Sequence, residues 1–276
     1  MKLFVTDDSP LDPALLSRID TSKPHQARVW NYWLGGKDNY PVDRQLAEKL
    51  RDVYPGMEDI ARHTRVFLGR AVRHLAGEAG IRQFLDIGTG LPTVDHTHEV
   101  AQRVDPASRV VYVDNDPLVL VHARALLASD PRGACDYIEA DVREPDTILE
   151  FASKTLDFSR PTALMLLGVM GTIFDDDEAC ALVRHLMDAL PSGSYLVFED
   201  GTNTVKPEAA AEAERLRDKG EVYEYRLRTP AEIARFFDGL ELVDPGIVSV
   251  SRWQLESDVF GLPPEVDAFC GVGRKP

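Results

Sequence analysis

The sequence has 276 residues, with 31 Lys and Arg against 46 Asp and Glu, which gives a formal net charge of −15 at pH 7. This length fits one large domain, or one domain with an appendage, and 44% hydrophobic residues suffice for a folded core. The acidic balance argues against broad contact with nucleic acid or an anionic membrane, and neither a signal pattern nor a run of about 20 apolar residues is found. We therefore expect a cytoplasmic protein.

The sequence predicts a helical region over roughly the first 80 residues. Residues up to Pro24 are polar and rich in proline, which is typical of a loosely held arm. Apolar residues at helical spacing, interrupted by glycine and proline, predict helices over His25–Leu34, Val42–Val53 and Glu58–Ala76. We assign residues 1–80 to an N-terminal arm and helical cap.

From Gly80 onward, short apolar strands alternate with amphipathic helices. Five strands are predicted at Gln83–Ile87, Arg109–Val113, Asp136–Ala140, Ala163–Leu167 and Ser194–Glu199. Three more are predicted in the tail, at Leu240–Val243, Ile247–Val250 and Ala268–Val272. The alternation predicts a doubly wound α/β sheet with helices on both faces, and we assign residues 81–276 to it.

The first predicted strand runs directly into the glycine turn Gly88-Thr89-Gly90. Glycines there let the backbone approach a ligand closely. Asp86 precedes this turn and is expected at the carboxyl end of the strand, where ligands bind in open α/β sheets. A carboxylate at that point suits an ammonium group and repels the pyrophosphate of a dinucleotide. The third glycine of the dinucleotide fingerprint is also missing, because Thr93 stands in its place.

Two further acids follow at the next two strand ends. Asp114 is placed to accept hydrogen bonds from both hydroxyls of a ribose. Asp141 is placed to accept one from the amino group of adenine, with Val142 packed against the ring. Taken singly, each acid has helix capping or turn formation as its alternative role. Taken together, sites for an ammonium, a ribose and an adenine describe S-adenosylmethionine.

Four segments resemble one known family. They are residues 28–39 with the motif L-G-G-K-D-N, residues 84–93 with L-D-I-G-T-G-L-P-T, residues 110–117, and residues 236–240. The sequence resembles the actinobacterial S-adenosylmethionine-dependent methyltransferases long known as a domain of unknown function, from about Ser22 to Lys275. The resemblance implies a Rossmann-like class I methyltransferase fold, with a doubly wound seven-stranded sheet, an N-terminal helical cap and S-adenosylmethionine as cofactor.

The resemblance also implies roles for particular residues. Asp86 and the turn Gly88-Thr89-Gly90 would hold the methionyl part of the cofactor, and Asp114 its ribose. The adenine would be surrounded by Asn115, Asp141 and Val142, and the sulfonium would face backbone groups near Leu167 and Gly168. The sequence departs from the wider class I pattern at Leu91-Pro92, where a third glycine is common. It departs again at residues 169–173, where relatives often carry a histidine.

The helical cap supplies the remaining candidates. We include Tyr32, Lys37, Asn39 and Arg65 among the cofactor-binding residues, and Trp30, Tyr32 and Trp33 as lining of an acceptor pocket, with core packing as the alternative. His63 is the candidate for a general base. The loop Asp200–Lys206, with Tyr223 and Tyr225 nearby, is the candidate for a lid over the acceptor. No metal is expected, since His96 and His98 are two residues apart and do not share a helix face.

We therefore predict an S-adenosylmethionine-dependent methyltransferase that transfers methyl in line to an oxygen or nitrogen of a small-molecule acceptor, with neither nucleic acid nor membrane as partner. A non-catalytic S-adenosylmethionine-binding sensor or interaction module stays open, because the sequence assigns no firm base. An NAD-dependent oxidoreductase is the third interpretation, and Asp86 and the missing third glycine argue against it.

Overall fold

The computed structural model describes residues 18–92, 95–126, 129–255 and 261–276. Most of the predicted N-terminal arm, and Thr93 at the third-glycine position, lie outside these ranges. No helix in the described ranges is both long and apolar enough to cross a membrane.

Three helices precede the sheet: α1 (Gln26–Trp33), α2 (Pro41–Val53) and α3 (Met57–Gly77). They confirm the three predicted helices to within one residue at each end. His25 caps α1, since its Nδ1 accepts a hydrogen bond from the Ala27 backbone N–H at 3.3 Å. Pro41 opens α2 because the first helical position needs no N–H donor and favours the fixed φ of proline.

The sheet confirms the predicted doubly wound fold. Its strands are β1 (Gln83–Ile87), β2 (Arg109–Asp114), β3 (Ala134–Glu139), β4 (Ala163–Leu167), β5 (Tyr195–Gly201), β6 (Glu241–Leu242), β7 (Val248–Ser249) and β8 (Ala268–Arg274). The order along the sheet is β3-β2-β1-β4-β5-β8-β6, in which β1 to β5 are parallel and β8 is antiparallel to both its neighbours. Seven strands lie on this path, the number that the resemblance implies, and the two-residue β7 pairs with β8 as an eighth strand beside it.

Helices cover both faces of the sheet. They are α4 (Thr97–Val104), α5 (Pro117–Leu126), α6 (Pro145–Ala152), α7 (Asp176–Asp188), α8 (Pro207–Asp218) and α9 (Pro230–Ala234). Leu85 of β1 packs in a core with α6 and α7, whereas its neighbour Phe84 packs in a second core with α3 and α4. Strands buried on both faces explain why the sequence shows continuous apolar runs instead of alternation.

The order of the strands reverses between β1 and β4. β1 pairs with β2 on one side, Leu85 opposite Val111, and with β4 on the other, Leu85 opposite Leu164. Open α/β sheets bind their ligands at the carboxyl ends of the strands beside such a reversal. A ligand site is therefore expected at the loops that follow β1, β2 and β4.

The first two helices are fastened to the sheet by a buried arginine. Arg28 of α1 is 3% exposed, and its Nε lies 3.2 Å from an oxygen of Asp116, which follows β2. Its Nη1 lies 3.8 Å from an oxygen of Asp43 in α2. Asp43 in turn accepts hydrogen bonds from the backbone N–H groups of His25 and Tyr40. This network holds α1 across the carboxyl ends of the strands.

Candidate active site

A cavity of about 200 Å³ lies at the carboxyl ends of β1, β2 and β4, beneath α1. We call it the first cavity. It brings together eleven of the residues expected from the sequence to bind a cofactor: Arg65, Asp86, Gly88, Thr89, Gly90, Asp114, Asn115, Asp141, Val142, Leu167 and Gly168.

The turn after β1 needs its glycines for two different reasons. Gly88 has φ +76°, and a Cβ on it would lie 2.6 Å from Cβ of Val169. Gly90 has φ +67° with open space around it, and its N–H donates to Asp114 Oδ2 at 2.8 Å. Only glycine adopts such angles without strain, and at Gly88 only glycine also fits beside the loop after β4. The turn therefore joins the ends of three strands.

Asp86 is a buried carboxyl group on the wall of the first cavity. Its Oδ2 accepts a hydrogen bond of 2.6 Å from the Thr97 hydroxyl at the start of α4. Burial raises the pKa of Asp86 to about 6, against the opposing effects of the Thr97 hydroxyl and of Arg65. Thr97 could not be predicted from the sequence, because its position depends on how α4 docks against β1.

Asp114 is held by backbone N–H groups on both oxygens. Asp116 donates to Oδ1 at 2.9 Å and Gly90 donates to Oδ2 at 2.8 Å. Burial raises the pKa of Asp114, although these two hydrogen bonds oppose the shift. Each carboxylate oxygen accepts more than one hydrogen bond, so the group is fixed in orientation and retains acceptor capacity.

The loops after β2 and β3 meet at the far end of the first cavity. Asn115 Nδ2 donates to Asp141 Oδ2 at 3.1 Å. The backbone N–H of Arg143 donates to Asp141 Oδ1 at 2.9 Å, and its guanidinium is 3.2 Å away. Val142 is buried beside them. This end combines an apolar contact with amide and carboxylate groups, a set suited to a purine ring.

The structure places three of the expected cofactor residues away from the first cavity. The Tyr32 hydroxyl donates to Glu48 at 3.0 Å on the outer side of α1, and Lys37 is exposed. The Asn39 amide donates to Asn31 Oδ1 at 2.8 Å and to the Gly36 carbonyl at 3.0 Å, so it stabilises the glycine turn after α1. None of the three lines the described cavity wall.

The inner face of α1 lines the first cavity instead. Its contributors recur at helical spacing: His25, Gln26, Ala27, Trp30, Asn31 and Leu34. Of the aromatic residues expected to contact an acceptor, only Trp30 is among them. The Trp33 indole donates to the Ala47 carbonyl at 3.3 Å, in the packing between α1 and α2. The helical period of α1 was the available signal for this face.

His63 does not line the described wall of either cavity, whereas its neighbours on α3 do. Thr64 and Arg65 face the first cavity, one residue further along the helix. Burial lowers the pKa of His63, and nearby Asp59 opposes the shift. Among the described residues, the candidate general base therefore lies outside the lining of both cavities.

A second cavity, of about 100 Å³, adjoins the first. Gln26 and Trp30 line both, and the Gln26 amide donates to the Gly168 carbonyl at 2.9 Å between them. The remaining wall comes from the end of α2, the start of α3, the end of β5, α8 with the segment after it, and the residue before β8: Leu50, Tyr54, Met57, Ile60, Glu199, Gly201, Thr202, Ala213, Glu214, Arg217, Val222, Tyr223, Tyr225, Leu227 and Asp267. It contains the two tyrosines and part of the loop that the sequence assigned to an acceptor.

That loop after β5 is tied down by one carboxylate. Asp267 is buried and accepts four hydrogen bonds of 2.6 to 2.8 Å, from the Thr202 hydroxyl and from the N–H groups of Thr204, Val205 and Lys206. The loop predicted as a lid is therefore closely bonded to the residue that precedes β8.

Two acids end β5, and they differ in their partners. Asp200 accepts hydrogen bonds from Tyr225 and from Arg228, the latter at 2.8 Å, and burial raises the pKa of Asp200 to about 6. Glu199 is equally buried, but its Oε2 has no hydrogen-bond partner among the described residues. The sequence analysis missed Glu199, although an acid at a strand end was the signal that found Asp86 and Asp114.

Comparison with known proteins gives consistent matches over almost the whole chain. The sequence model of a family described as S-adenosyl methyltransferase matches residues 13–276. A DUF574-family protein from Streptomyces avermitilis is 44% identical, over 94% of this chain and 100% of its own, with a TM-score of 0.87. A candidate methyltransferase from Thermobifida fusca is 46% identical, over 95% and 97% of the two chains, with a TM-score of 0.84. No curated protein matches the sequence.

Proposed function

The chain belongs to the S-adenosyl methyltransferase family, and from this premise we propose where it holds its cofactor and what kind of acceptor it takes. Family membership makes the protein an S-adenosylmethionine-dependent methyltransferase with a class I, Rossmann-like fold.

The first cavity is the proposed cofactor site. One observation carries this proposal: the acids that end three successive strands lie on the wall of a single cavity, together with the glycine turn after β1. Asp86 pairs with the ammonium of the methionyl group, and Arg65 on the same wall attracts its carboxylate. Asp114 accepts hydrogen bonds from the ribose hydroxyls. The adenine lies between Asn115, Asp141 and Val142, and Leu167 and Gly168 lie next to the sulfonium.

The chain divides into two functional parts in this proposal. Residues 81–276 form the methyltransferase domain that binds the cofactor, and residues 1–80 form the arm and cap. The inner face of α1 closes the first cavity from above through Gln26, Trp30 and Asn31. A cap in this position excludes water and restricts the acceptor to one approach, and positioning of this kind supplies much of the rate of a transfer reaction.

The second cavity is the proposed site of the methyl acceptor. It is small and mostly apolar, and it touches the first cavity at Gly168 through Gln26. The cofactor supplies an electrophilic methyl group on a sulfonium, and the protein aligns an oxygen or nitrogen of the acceptor with it. The size of the cavity and the net charge of −15 favour a small molecule over a nucleic acid.

Calorimetric binding of S-adenosylhomocysteine tests the cofactor site. We expect one site per chain in the wild type. Asp114→Ala should weaken binding by about 1–3 kcal/mol, roughly 5- to 150-fold, because hydrogen bonds to a charged group are lost. Asp188→Ala, at the exposed end of α7, is the matched control and should bind like the wild type. Equal affinity in all three proteins would refute the role of Asp114, and absence of binding to the wild type would refute the site.

A further inference from the structure

Glu199 is a buried carboxyl group on the wall of the second cavity, and one of its oxygens lacks a hydrogen-bond partner among the described residues. It is 2% exposed, and its Oε2 makes no hydrogen bond there. Asp267, on the same wall, is bonded to the loop after β5. Buried polar atoms without a partner cost free energy, so each one calls for a physical explanation. An unpartnered acid facing a cavity indicates a ligand with a hydrogen to donate.

The position of Glu199 relates it to the proposed site of methyl transfer. Its backbone carbonyl accepts a hydrogen bond of 2.9 Å from the N–H of Gly168, at the boundary of the two cavities. A Cβ built on Gly168 would lie 3.6 Å from Glu199 Oε2 and 4.0 Å from the Tyr225 hydroxyl. Glycine at 168 therefore leaves free space beside the carboxyl group. A nucleophile in that space would be next to Glu199 and next to the first cavity.

The walls around this carboxyl group favour a positive charge. Trp30, Tyr54, Tyr223 and Tyr225 supply aromatic surface, and Glu214 and Asp267 are further acids on the same wall. Aromatic faces and carboxylates both attract cations. The cation on the wall, Arg217, already bonds to Asp218 at 2.8 Å and to the Tyr225 carbonyl at 3.3 Å. An anionic acceptor would meet unfavourable charges there, whereas an ammonium would be stabilised.

We propose that the acceptor is a compact, apolar amine whose nitrogen lies beside Glu199, and that Glu199 takes the proton from it before methyl transfer. This inference rests on the proposed function of the two cavities and extends it to a substrate class and a catalytic residue.

The proposed step balances. The ammonium R–NH₃⁺ gives a proton to the Glu199 carboxylate, which leaves R–NH₂ with a free lone pair. The nitrogen attacks the methyl carbon as the carbon–sulfur bond breaks, and the bonding electrons pass to sulfur, which becomes a neutral thioether. The product is R–NH₂⁺–CH₃, and the proton on Glu199 returns to solvent.

The acidity of Glu199 supports this step. Burial raises the pKa of Glu199 well above its usual range, nearby Asp200 raises it further, and the Thr64 hydroxyl opposes the shift. The same burial lowers the pKa of a bound ammonium. The two shifts bring donor and acceptor closer in proton affinity, as proton transfer between an ammonium and a carboxylate requires.

A matched set of ligands tests the inference by binding. Wild-type protein saturated with S-adenosylhomocysteine is titrated with benzylamine, benzyl alcohol and benzoate, which differ only in the polar group on one ring. We expect benzylamine to bind at least about tenfold more tightly than the other two. Saturation with S-adenosylhomocysteine is a prerequisite, so its failure would refute the proposed function, whereas saturation without preference for the amine refutes only this inference.

Two variants assign the role to Glu199. Glu199→Gln preserves the shape and should bind S-adenosylhomocysteine within about twofold of the wild type. It should bind benzylamine at least about tenfold more weakly and methylate it, with S-adenosylmethionine present, at least about 100-fold more slowly, as expected for loss of an acid–base group. Glu150→Gln, on the exposed side of α6, should match the wild type. Normal amine binding and methylation by Glu199→Gln, or its loss of S-adenosylhomocysteine binding, would overturn the assignment.

Discussion

Asp86 combines two properties that oppose each other. Its carboxyl group is buried, which raises its pKa to about 6, and its proposed partner is an ammonium, which requires the carboxylate. The charged groups that act on Asp86 are Arg65, which opposes the rise in its pKa, and Asp114, which adds to it. With a pKa of about 6, Asp86 is a group on the wall of the first cavity that titrates within the accessible range of pH.

We expect the affinity for S-adenosylhomocysteine to depend on pH through Asp86. The group is protonated below about pH 6 and then cannot pair with the ammonium, so affinity should fall by up to about tenfold per pH unit there and be constant above about pH 7. Calorimetry from pH 5 to 8 measures the profile. Asp86→Asn should bind more weakly at pH 8 and lose most of the dependence, and an unchanged profile would exclude Asp86 as its origin.

The strand-end acids and the glycine turn could be predicted from the local sequence, because ligands of open parallel sheets bind at the carboxyl ends of the strands. Once the end of β1 is located in the sequence, Asp86 and Gly88 are identified as site residues. The inner face of α1 could not be placed in the same way, because its contact with the strand ends depends on Arg28 reaching Asp116, which lies 88 residues away in the sequence. The position of Glu199 near the end of β5 could be read from the sequence, but its lack of a hydrogen-bond partner among the described residues could not.

At the scale of elements, the bounds of β1 and β4 agree with the sequence prediction, since buried apolar runs ended by glycine leave little ambiguity. β3 begins at Ala134 instead of Asp136, and β8 extends to Arg274 instead of Val272. Both extensions are made by pairing with a neighbouring strand: Ala134 lies opposite Arg109, and Arg274 opposite Tyr195. The local hydrophobic pattern of a strand does not show which distant residues pair with it, so these two extensions could not be predicted.

The buried Arg28 network predicts a large effect of one substitution in α1. Arg28→Met should destabilise the protein by about 3–5 kcal/mol, because Asp43 and Asp116 would remain buried without their cation. Urea unfolding measures the change. Arg51→Met in α2 removes an exposed ion pair to Glu58 and should cost less than about 1 kcal/mol. Similar losses in the two variants would show that the buried network does not stabilise the cap.

At the scale of the whole molecule, the excess of 46 acids over 31 bases predicts a response to salt. Like charges on the surface repel one another in the folded state, and at 0.1 M salt screening acts beyond about 10 Å. We expect the unfolding temperature to rise by about 2–4 °C between 10 and 200 mM NaCl, equivalent to about 1 kcal/mol. Potassium chloride should act equally, and a fall in unfolding temperature would show that attractive ion pairs outweigh the repulsion.

The four hydrogen bonds from the loop after β5 to Asp267 have a consequence for the kinetics of ligand exchange. Each hydrogen bond to a charged group contributes about 1.5–3 kcal/mol, so releasing residues 202–206 would require at least about 6 kcal/mol. At equilibrium fewer than about one molecule in ten thousand would have this loop detached. Small molecules therefore diffuse into and out of the second cavity while this loop stays in place. Their residence times are set by other parts of the wall of the second cavity.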